Sequence, residues 1–328
     1  MTGLRVLVAP DSFKGTMSAQ VVADALAAGL AGAGADAVTC PLADGGEGTT
    51  AVLHAAWGGE LVRHTVSGPS GEPVVGELLL AGDGRAALDT ASASGLHLVP
   101  AERRDPLRAS TFGTGQLIAA AVAAGAREVL VGVGGSATTD GGAGALEALA
   151  RAGGIGDAVL RVLCDVWTPF EQAAEVFGPQ KGATADQVAA LTARLHEVAG
   201  RLPRDPRGRP RTGAAGGLSG ALWAVYGADL VSGADAVLDA VRFDELLART
   251  DLVVTGEGCL DAQTGQGKLV AVVAARSARR RVPVVAVVGR RALDDAGVAR
   301  LGLRAVIEAG DLGALESAGA ALARDLAG

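Results

Sequence analysis

Cysteine, histidine and aromatic side chains are scarce in this chain of 328 residues. Aromatic residues make up 3% of it, and there are four histidines and three cysteines. Cys40, Cys164 and Cys259 are odd in number and far apart, which argues against a disulfide framework and is typical of reduced thiols in the cytoplasm. Neither the cysteines nor the histidines show the spacing of zinc ligands. With so few aromatic residues, the core must consist of Ala, Val and Leu packed around glycine turns.

Long apolar runs and a basic surface are missing too. No uncharged apolar run reaches the roughly 18 residues of a membrane span, and LRVLVAP begins at Leu4 without a signal-like leader. We therefore expect a cytoplasmic protein without a membrane partner. The formal net charge of −7 argues against a nucleic-acid partner, because proteins of that class carry a basic patch.

Lysine is rare but distinctively placed. Of the 29 basic residues, only Lys14, Lys181 and Lys268 are lysines, and each is next to a glycine. In a chain so rich in arginine, a retained lysine suggests a need for a compact point charge, which the planar guanidinium replaces poorly. We interpret the three lysines as candidate ligands of anionic groups. The alternative is that they are solvated residues in turns.

Apolar runs that alternate with helical patterns predict an α/β fold at both ends of the chain. Residues 4–9 and 36–40 are expected to be buried parallel strands, each followed by a helix, and Ser18 is placed to cap the first helix. The same rhythm returns near the end of the chain. There, strands are expected at 251–256, 282–289 and 303–310, with a helix starting at 269.

The middle of the chain has a different pattern. Short β-leaning segments at 60–67, 73–80 and 85–89 are separated by turn sequences, which predicts an antiparallel meander. Further strands are expected at 127–134 and 161–166, and helices at 114–124 and 185–201. The sequence therefore predicts two α/β domains. Residues 1–60 plus 245–328 form a doubly wound domain from both chain ends, and residues 61–244 form a mixed α/β domain inserted in it.

Six glycine-rich loops follow strands or open helices: PDSFKG, ADGGEG, GVGGSATTDGG, FGPQKGA, TGAAGG and TGEGCLDAQTGQGK. Glycine lets backbone N–H groups approach an anion, and a helix N-terminus adds partial positive charge. Carboxylates accompany these loops or end a strand, at Asp11, Asp44, Glu47, Asp140, Asp165, Glu257 and Asp261. Such carboxylates beside phosphate loops imply an intervening cation, for which Mg²⁺ is the usual solution. Any one of them alone is also explained as a turn or cap residue.

Together these features predict phosphoryl transfer, which needs a phosphate cradle, a lysine, Mg²⁺ and a base for the acceptor hydroxyl. Other motifs fail. A Walker A loop would need glycine at Ala262 and Ser or Thr at Leu269. A Gly-x-Ser-x-Gly nucleophile elbow is absent. The dinucleotide-like GVGGSA at 132–137 would need an acid at the end of a strand about 20 residues further on, but Glu147 lies in a predicted helix and Asp157 in a loop before any strand.

In this order, the loops resemble those of the bacterial glycerate kinase family, from APDSFKG to TGEG..DAQT..GK, over most of the chain. The resemblance implies transfer of the γ-phosphoryl group of ATP to D-glycerate with Mg²⁺, giving 2-phosphoglycerate or 3-phosphoglycerate. It also implies two α/β domains, one of them flavodoxin-like, with the active site in the cleft between them. We expect a monomer or a homodimer whose partners are the small-molecule substrate and the nucleotide.

On this resemblance, Lys14, Asp44, Asp140 and Lys268 are predicted to be catalytic. The base that orients the glycerate hydroxyl is expected to be Asp44 or Asp140, and Lys181 is expected to hold a phosphate or the substrate carboxylate. Asp165 and Glu257 are the expected Mg²⁺ ligands. The predicted substrate- and nucleotide-binding residues are Asp11, Ser12, Gly45, Gly46, Glu47, Gly134, Gly135, Ser136, Thr138, Lys181, Gly216, Gly217 and Asp261.

Three features depart from the family pattern. Cys259 stands where arginine is usual, Gln116 replaces a frequent glutamate, and the stretch 152–180 is short. These departures leave open a kinase for another small hydroxy acid, or a ligand-binding relative without catalysis. A dinucleotide-dependent oxidoreductase is a further alternative.

Overall fold

The computed structural model describes residues 4–261, 264 and 268–327. The chain forms two compact units. Both chain ends, up to Asp44 and from Ala234 onward, form the first, here called the chain-end unit. Gly45–Gly233 form the second, here called the inserted unit.

Thirteen strands and thirteen α-helices are described. The strands are β1 (Arg5–Pro10), β2 (Asp36–Thr39), β3 (Glu60–Ser67), β4 (Pro73–Leu80), β5 (Arg85–Asp89), β6 (Glu128–Gly132), β7 (Val159–Leu163), β8 (Asp229–Val231), β9 (Leu252–Gly256), β10 (Cys259–Leu260), β11 (Val284–Val288), β12 (Arg290–Arg291) and β13 (Ala305–Glu308). The helices are α1 (Ala19–Gly32), α2 (Thr49–Trp57), α3 (Ala91–Ser94), α4 (Phe112–Ala123), α5 (Ala143–Arg151), α6 (Ala173–Phe177), α7 (Ala185–Arg201), α8 (Leu218–Tyr226), α9 (Gly233–Ala240), α10 (Phe243–Leu247), α11 (Leu269–Arg279), α12 (Asp295–Arg300) and α13 (Leu312–Ala327).

The chain-end unit contains a five-stranded parallel sheet in the order β13-β11-β9-β1-β2. This is the flavodoxin-like strand order, which confirms the predicted fold class. Helix α1 begins after Ser18, whose side chain accepts a hydrogen bond from the Val21 N–H, as expected. Helix α1 packs closely on α13. A Cβ on Gly29 would lie only 1.9 Å from the Glu316 carbonyl oxygen, so glycine is needed at this contact. A parallel sheet covered in this way explains the continuous apolar runs of its strands.

The inserted unit contains a six-stranded mixed sheet in the order β3-β4-β5-β6-β7-β8. Strands β3, β4 and β5 form the predicted antiparallel meander, and β5 to β8 pair in parallel. Helices α4 and α5 pack together beside the sheet, and Leu88, Leu117 and Val131 lie in one buried cluster. A smaller cluster surrounds Phe170 under α7.

The unit boundaries differ from the expected residues 60 and 245. Helix α2 belongs to the inserted unit because it packs on β4 and β5. Nearly all of α9 belongs to the chain-end unit, where Arg276 of α11 binds Asp235 and Asp239. Strand β7 ends at Leu163, so Asp165 follows the strand instead of lying in it. No helix in the described part of the chain is long and apolar enough to cross a membrane.

Candidate active site

A pocket of about 400 Å³ lies in the chain-end unit, a volume typical of small-molecule sites. Its lining comes from residues that follow the carboxyl ends of all five parallel strands: Asp11 after β1, Asp44 after β2, Glu257 after β9, Gly289 after β11 and Gly310 after β13. The order of the strands reverses between β1 and β9, and open α/β sheets bind ligands at this point. We call it the switch-point pocket.

The loops around this pocket are packed backbone against backbone. The Asp11 N–H donates to the Gly256 carbonyl at 2.8 Å, and the Gly289 N–H donates to the Glu257 carbonyl at 3.2 Å. A Cβ on Gly256 would lie 2.0 Å from the Val287 carbonyl oxygen, so only glycine fits there. Phe13 is buried beneath these loops. The loop after β1 is therefore packed against the residues that follow β9 and β11.

Lys14 and Asp44 form an ion pair on the pocket wall, with 3.3 Å between Nζ and Oδ2. Asp11 lies beside them and is 6% exposed. Burial, together with the negative charge of Asp44, raises the pKa of Asp11 to about 7, although the Lys14 ammonium and the Ser12 N–H oppose the shift. The Asp44 charge raises the pKa of Lys14, which keeps its ammonium charged. The pocket thus holds a charged ammonium group beside a carboxyl whose pKa is raised to about 7.

The TGEG stretch supplies the other side of the pocket. The Thr264 hydroxyl donates to Glu257 Oε1 at 2.6 Å, and burial is the main cause that raises the pKa of Glu257. Lys268 Nζ lies 3.6 Å from Asp261 Oδ1, just before α11 begins. Residues 262, 263 and 265–267, which include Ala262 and the glycine before Lys268, lie outside the described residues. Seven predicted site residues therefore line this one pocket: Asp11, Ser12, Lys14, Asp44, Glu257, Asp261 and Lys268.

A second group of predicted residues comes together in the inserted unit around Lys181, which is 3% exposed. Its ammonium donates to the Ser136 hydroxyl at 3.2 Å and to the Thr138 carbonyl. Burial lowers the pKa of Lys181 to about 7, against the attraction of the Asp140 charge. We call Lys181, Ser136 and Thr138 the Lys181 cluster. It joins two glycine-rich loops that are distant in sequence.

Asp140 is a buried structural acceptor. Its Oδ2 accepts hydrogen bonds from the Thr111 N–H at 2.9 Å, the Thr111 hydroxyl at 2.8 Å and the Gly144 N–H at 3.1 Å. Its Oδ1 accepts from the Gly142 N–H at 3.0 Å. Both oxygens are thus engaged in holding the start of α5, and the residue is only 5% exposed. This geometry speaks against Asp140 as the base and leaves Asp44 as the candidate.

The predicted glycines of the inserted unit have packing roles. A Cβ on Gly134 would lie 2.5 Å from the Cα of Gly46, and one on Gly216 would lie 2.1 Å from the Thr138 carbonyl oxygen. Neighbouring loops therefore approach too closely for a side chain at either position. The remaining predicted members of these loops are Gly45, Glu47, Gly135 and Gly217. Whether their N–H groups also contact a phosphate stays a prediction.

The two predicted Mg²⁺ ligands lie in different units. Asp165 accepts a hydrogen bond from the Gly233 N–H at 2.8 Å in the inserted unit, and Glu257 lies in the switch-point pocket. Among the described residues, no group of three or more His, Cys, Asp or Glu side chains forms a ready-made metal site. Mg²⁺ usually takes one or two carboxylates plus waters and substrate phosphates, so it does not require such a group. Asp11 fits this need, because the charges of Asp44 and Glu257 repel its ionised form, and a cation relieves that repulsion.

Comparison with known proteins decides the family. A family model described as "Glycerate kinase family" matches residues 6–154 and 150–326. The chain belongs to the glycerate kinase family. Its relatives include a glycerate kinase of Bacillus subtilis, 40% identical over 92% of this chain and 89% of that protein. A glycerate 2-kinase of Escherichia coli is 39% identical over 90% of this chain and 87% of that protein.

A solved structure supports the same conclusion. The crystal structure of a proposed glycerate kinase 2 from Salmonella typhimurium has a TM-score of 0.84 and 35% identity, and the match covers 99% of both chains. The predicted resemblance and the predicted kinase class are therefore confirmed. Membership of this family leaves the oxidoreductase alternative without support.

In this member of the glycerate kinase family, sequence reasoning missed some residues of the pocket. Phe13 lines the pocket inside a recognised motif, but its burial was not predicted. Thr264 does not line the pocket, but it lies inside a recognised motif and its hydrogen bond to Glu257 was not predicted. Arg290 lines the pocket directly after β11 and carried no motif signal, because arginine is common throughout the chain. Its place just after a parallel strand is the one feature that pointed to it.

Proposed function

We propose that this protein transfers the γ-phosphoryl group of ATP to D-glycerate, with Mg²⁺, and does so in the cytoplasm. The observation that carries the proposal is the switch-point pocket, where Lys14 pairs with Asp44 and Lys268 pairs with Asp261. Phosphoryl transfer asks the protein for positioning and for positive charge around the phosphoryl oxygens, and the pocket supplies both. The names of the Bacillus subtilis and Escherichia coli relatives support glycerate as the acceptor.

Asp44 is the proposed base. Its carboxylate accepts the proton of the glycerate hydroxyl as that oxygen bonds to the γ-phosphorus and the bond from this phosphorus to the β,γ-bridging oxygen breaks, so that ADP leaves. Lys14 orients the carboxylate from 3.3 Å. In phosphoryl transfer the proton leaves late, so a carboxylate suffices as the base. Lys268 is proposed to bind the nucleotide phosphates, with its ammonium as a rotatable point charge.

When bound, Mg²⁺ supplies neutralisation of the negative charge on the phosphates. We propose Asp11 and Glu257 as its protein ligands, since both are carboxylates of the switch-point pocket. Burial raises the pKa of each, so a cation beside them favours their ionised forms. Asp165, the other predicted ligand, lies in the inserted unit, and its binding of Mg²⁺ stays a prediction.

The Lys181 cluster is proposed to bind an anionic group of a substrate, either a phosphate or the glycerate carboxylate. A buried lysine with a pKa near 7 gains a proton readily when an anion approaches. That this cluster and the switch-point pocket serve one reaction in a shared cleft stays a prediction. A monomer or a homodimer is the proposed assembly.

The proposed product is 2-phosphoglycerate, on the ground that the Escherichia coli relative is named a glycerate 2-kinase. An ADP-release assay with D-glycerate, ATP and Mg²⁺ tests the reaction, and ³¹P NMR of the product tells the 2-phosphate from the 3-phosphate. Faster ADP release with another small hydroxy acid than with D-glycerate would show that this other acid is the substrate. Binding of ATP without ADP release for any acid tested would refute catalysis and support the ligand-binding alternative.

A further inference from the structure

Arg290 has no acidic partner in the described part of the switch-point pocket, unlike the two lysines. Lys14 pairs with Asp44 at 3.3 Å and Lys268 pairs with Asp261 at 3.6 Å. The Arg290 guanidinium instead donates to the Cys259 sulfur at 3.3 Å, and a thiol is a weak acceptor that brings no opposing charge. Its hydrogen-bonding capacity is therefore largely available to a ligand.

The backbone of Arg290 is fixed even though its side chain is exposed. Strand β12 pairs in parallel with β10, so that Arg290 is the partner of Cys259. The Arg290 N–H donates to the Gly258 carbonyl at 3.0 Å, and two residues later the Ala292 N–H donates to the Leu260 carbonyl at 2.8 Å. A guanidinium on so constrained a backbone loses less freedom on binding, which favours affinity.

The neighbouring Arg291 differs from Arg290, because its guanidinium has an acidic partner. Arg291, next in the chain, pairs with Asp295 and donates to the Leu293 carbonyl. Adjacent residues of a strand point to opposite sides. The Arg291 side chain is therefore held by contacts within the protein, whereas the Arg290 side chain lies at the pocket. The carboxylates that line the pocket give it a negative charge overall. Arg290 offsets part of that charge and forms no ion pair with any of the described carboxylates.

Cys259 and Arg290 lie on paired strands. Cα atoms of paired strand residues are about 5 Å apart, so a guanidinium from either position reaches the same end of the pocket. The small side chain of Cys259 leaves that space to Arg290. Two arginines there would instead place like charges side by side.

We propose that Arg290 binds an oxyanion of a substrate in the switch-point pocket. A guanidinium matches both carboxylate and phosphate through paired N–H donors. The identity of the anion rests on the proposed function, which offers two sources, the carboxylate of D-glycerate and a phosphate of ATP.

Steady-state kinetics of Arg290→Ala and Arg290→Lys test the proposal. For Arg290→Ala, we expect the KM of one substrate to rise about 10- to 100-fold, the range for a lost charged hydrogen bond, with a change in kcat of about threefold or less. A raised KM for D-glycerate identifies the carboxylate, and a raised KM for ATP identifies the phosphate. Arg290→Lys is expected to restore only part of the affinity, because it lacks the planar fork.

Two further variants exclude a structural explanation. Cys259→Arg combined with Arg290→Ala is expected to recover at least a third of the lost affinity, since it returns a guanidinium from the paired strand. Arg304→Ala is the matched control, because Arg304 is exposed and precedes β13, at the end of that strand opposite to the one that the pocket follows. Unchanged KM values for both substrates in Arg290→Ala would overturn the proposal. A lower melting temperature of Arg290→Ala that accompanies the raised KM would also overturn it.

Direct binding separates this proposal from the proposed function. Isothermal titration with ADP and with D-glycerate gives Kd values for the parent and for Arg290→Ala. A parent that binds either probe but releases no ADP refutes the proposed catalysis, and the Arg290 proposal is then decided by Kd alone. An increase of about 10-fold for one probe supports it, and equal Kd values for the two proteins overturn it.

Discussion

The ammonium of Lys14 lies 3.3 Å from the carboxylate of Asp44, 30 residues further along the chain. The two residues follow β1 and β2, which are adjacent in a parallel sheet, so the strand pairing brings their loops to the same edge. The Lys14 side chain is 69% exposed, and an ion pair so open to water contributes little to folding stability. Its effect should therefore appear in turnover.

Asp44→Asn is expected to lower kcat about 10²- to 10⁴-fold, the usual contribution of a general base, while the melting temperature stays within about 2 °C. The amide keeps the shape of the carboxylate but cannot accept a proton. Asp36→Asn is the control, because Asp36 is an exposed acid at the opposite end of β2. The ADP-release assay measures both variants, and an Asp44→Asn protein with more than half the parent's kcat would remove Asp44 from this role.

Lys268→Met is expected to raise the KM for ATP about 10-fold or more, because it removes a point charge from the nucleotide phosphates. Lys268→Arg should recover only part of the loss. The KM for D-glycerate is the internal control and should change by about twofold at most. A rise in the KM for D-glycerate alone would move Lys268 to the acceptor side of the reaction.

The buried carboxyl of Asp11 should make stability depend on pH. Its pKa is about 7 in the folded chain, against 3.8 for an ordinary aspartate side chain in water, so the folded state binds more protons between these values. Stability is therefore present at low pH and is lost as the pH rises from about 4 to about 7. Asp11→Asn lacks this loss and retains an acceptor for the Ser12 N–H. Thermal melts should show that the advantage of Asp11→Asn over the parent is larger at pH 8 than at pH 5; the same advantage at both would contradict the raised pKa.

Lys181 should make folding stability change with pH in the opposite direction to Asp11, and Lys181→Met tests this. The pKa of Lys181 is lowered from 10.5 to about 7, so between these values the unfolded chain binds more protons and parent stability rises with pH. Methionine fills a similar space without a charge. The difference in melting temperature between Lys181→Met and the parent should be most favourable to the variant at pH 6 and should decline towards pH 10. In the same protein the KM of one substrate should rise about 10-fold, and two unchanged KM values would make the lysine purely structural.

Gly134→Ala should destabilise the inserted unit by about 1–3 kcal/mol, because the new Cβ would lie 2.5 Å from the Cα of Gly46. Gly200→Ala is the matched control. Gly200 lies inside α7, and a methyl group added there would meet nothing within 4 Å, so alanine should stabilise by about 0.5–1 kcal/mol. Denaturant unfolding measures both changes. A Gly134→Ala protein as stable as the parent would show that the two loops have room to separate.

Much of the fold was predictable because its signals are local. The meander strands β3, β4 and β5 have the predicted bounds, and Ser18 caps α1 as expected. Apolar runs and turn residues mark such elements within a few residues of sequence. The same logic located the candidate site, because residues after parallel strands meet at one edge of a sheet, as Asp11 and Glu257 do.

The partners of each side chain were not predictable in this way. The sequence offered Asp44 and Asp140 as equivalent bases, and only the structure shows four hydrogen bonds on Asp140. It also could not single out Arg290 among the many arginines, or show that Lys14 pairs with Asp44.

The sequence by itself determined the positions of the strands and helices, the glycine-rich loops and the family resemblance. Tertiary structure decided which loops share a pocket, which carboxylates are already engaged by N–H groups, and where Arg290 lies beside Cys259. The physical reason is range. Helix and strand patterns depend on neighbours within a few positions, whereas contacts such as Cys259 with Arg290 depend on the order of strands that are far apart in the chain.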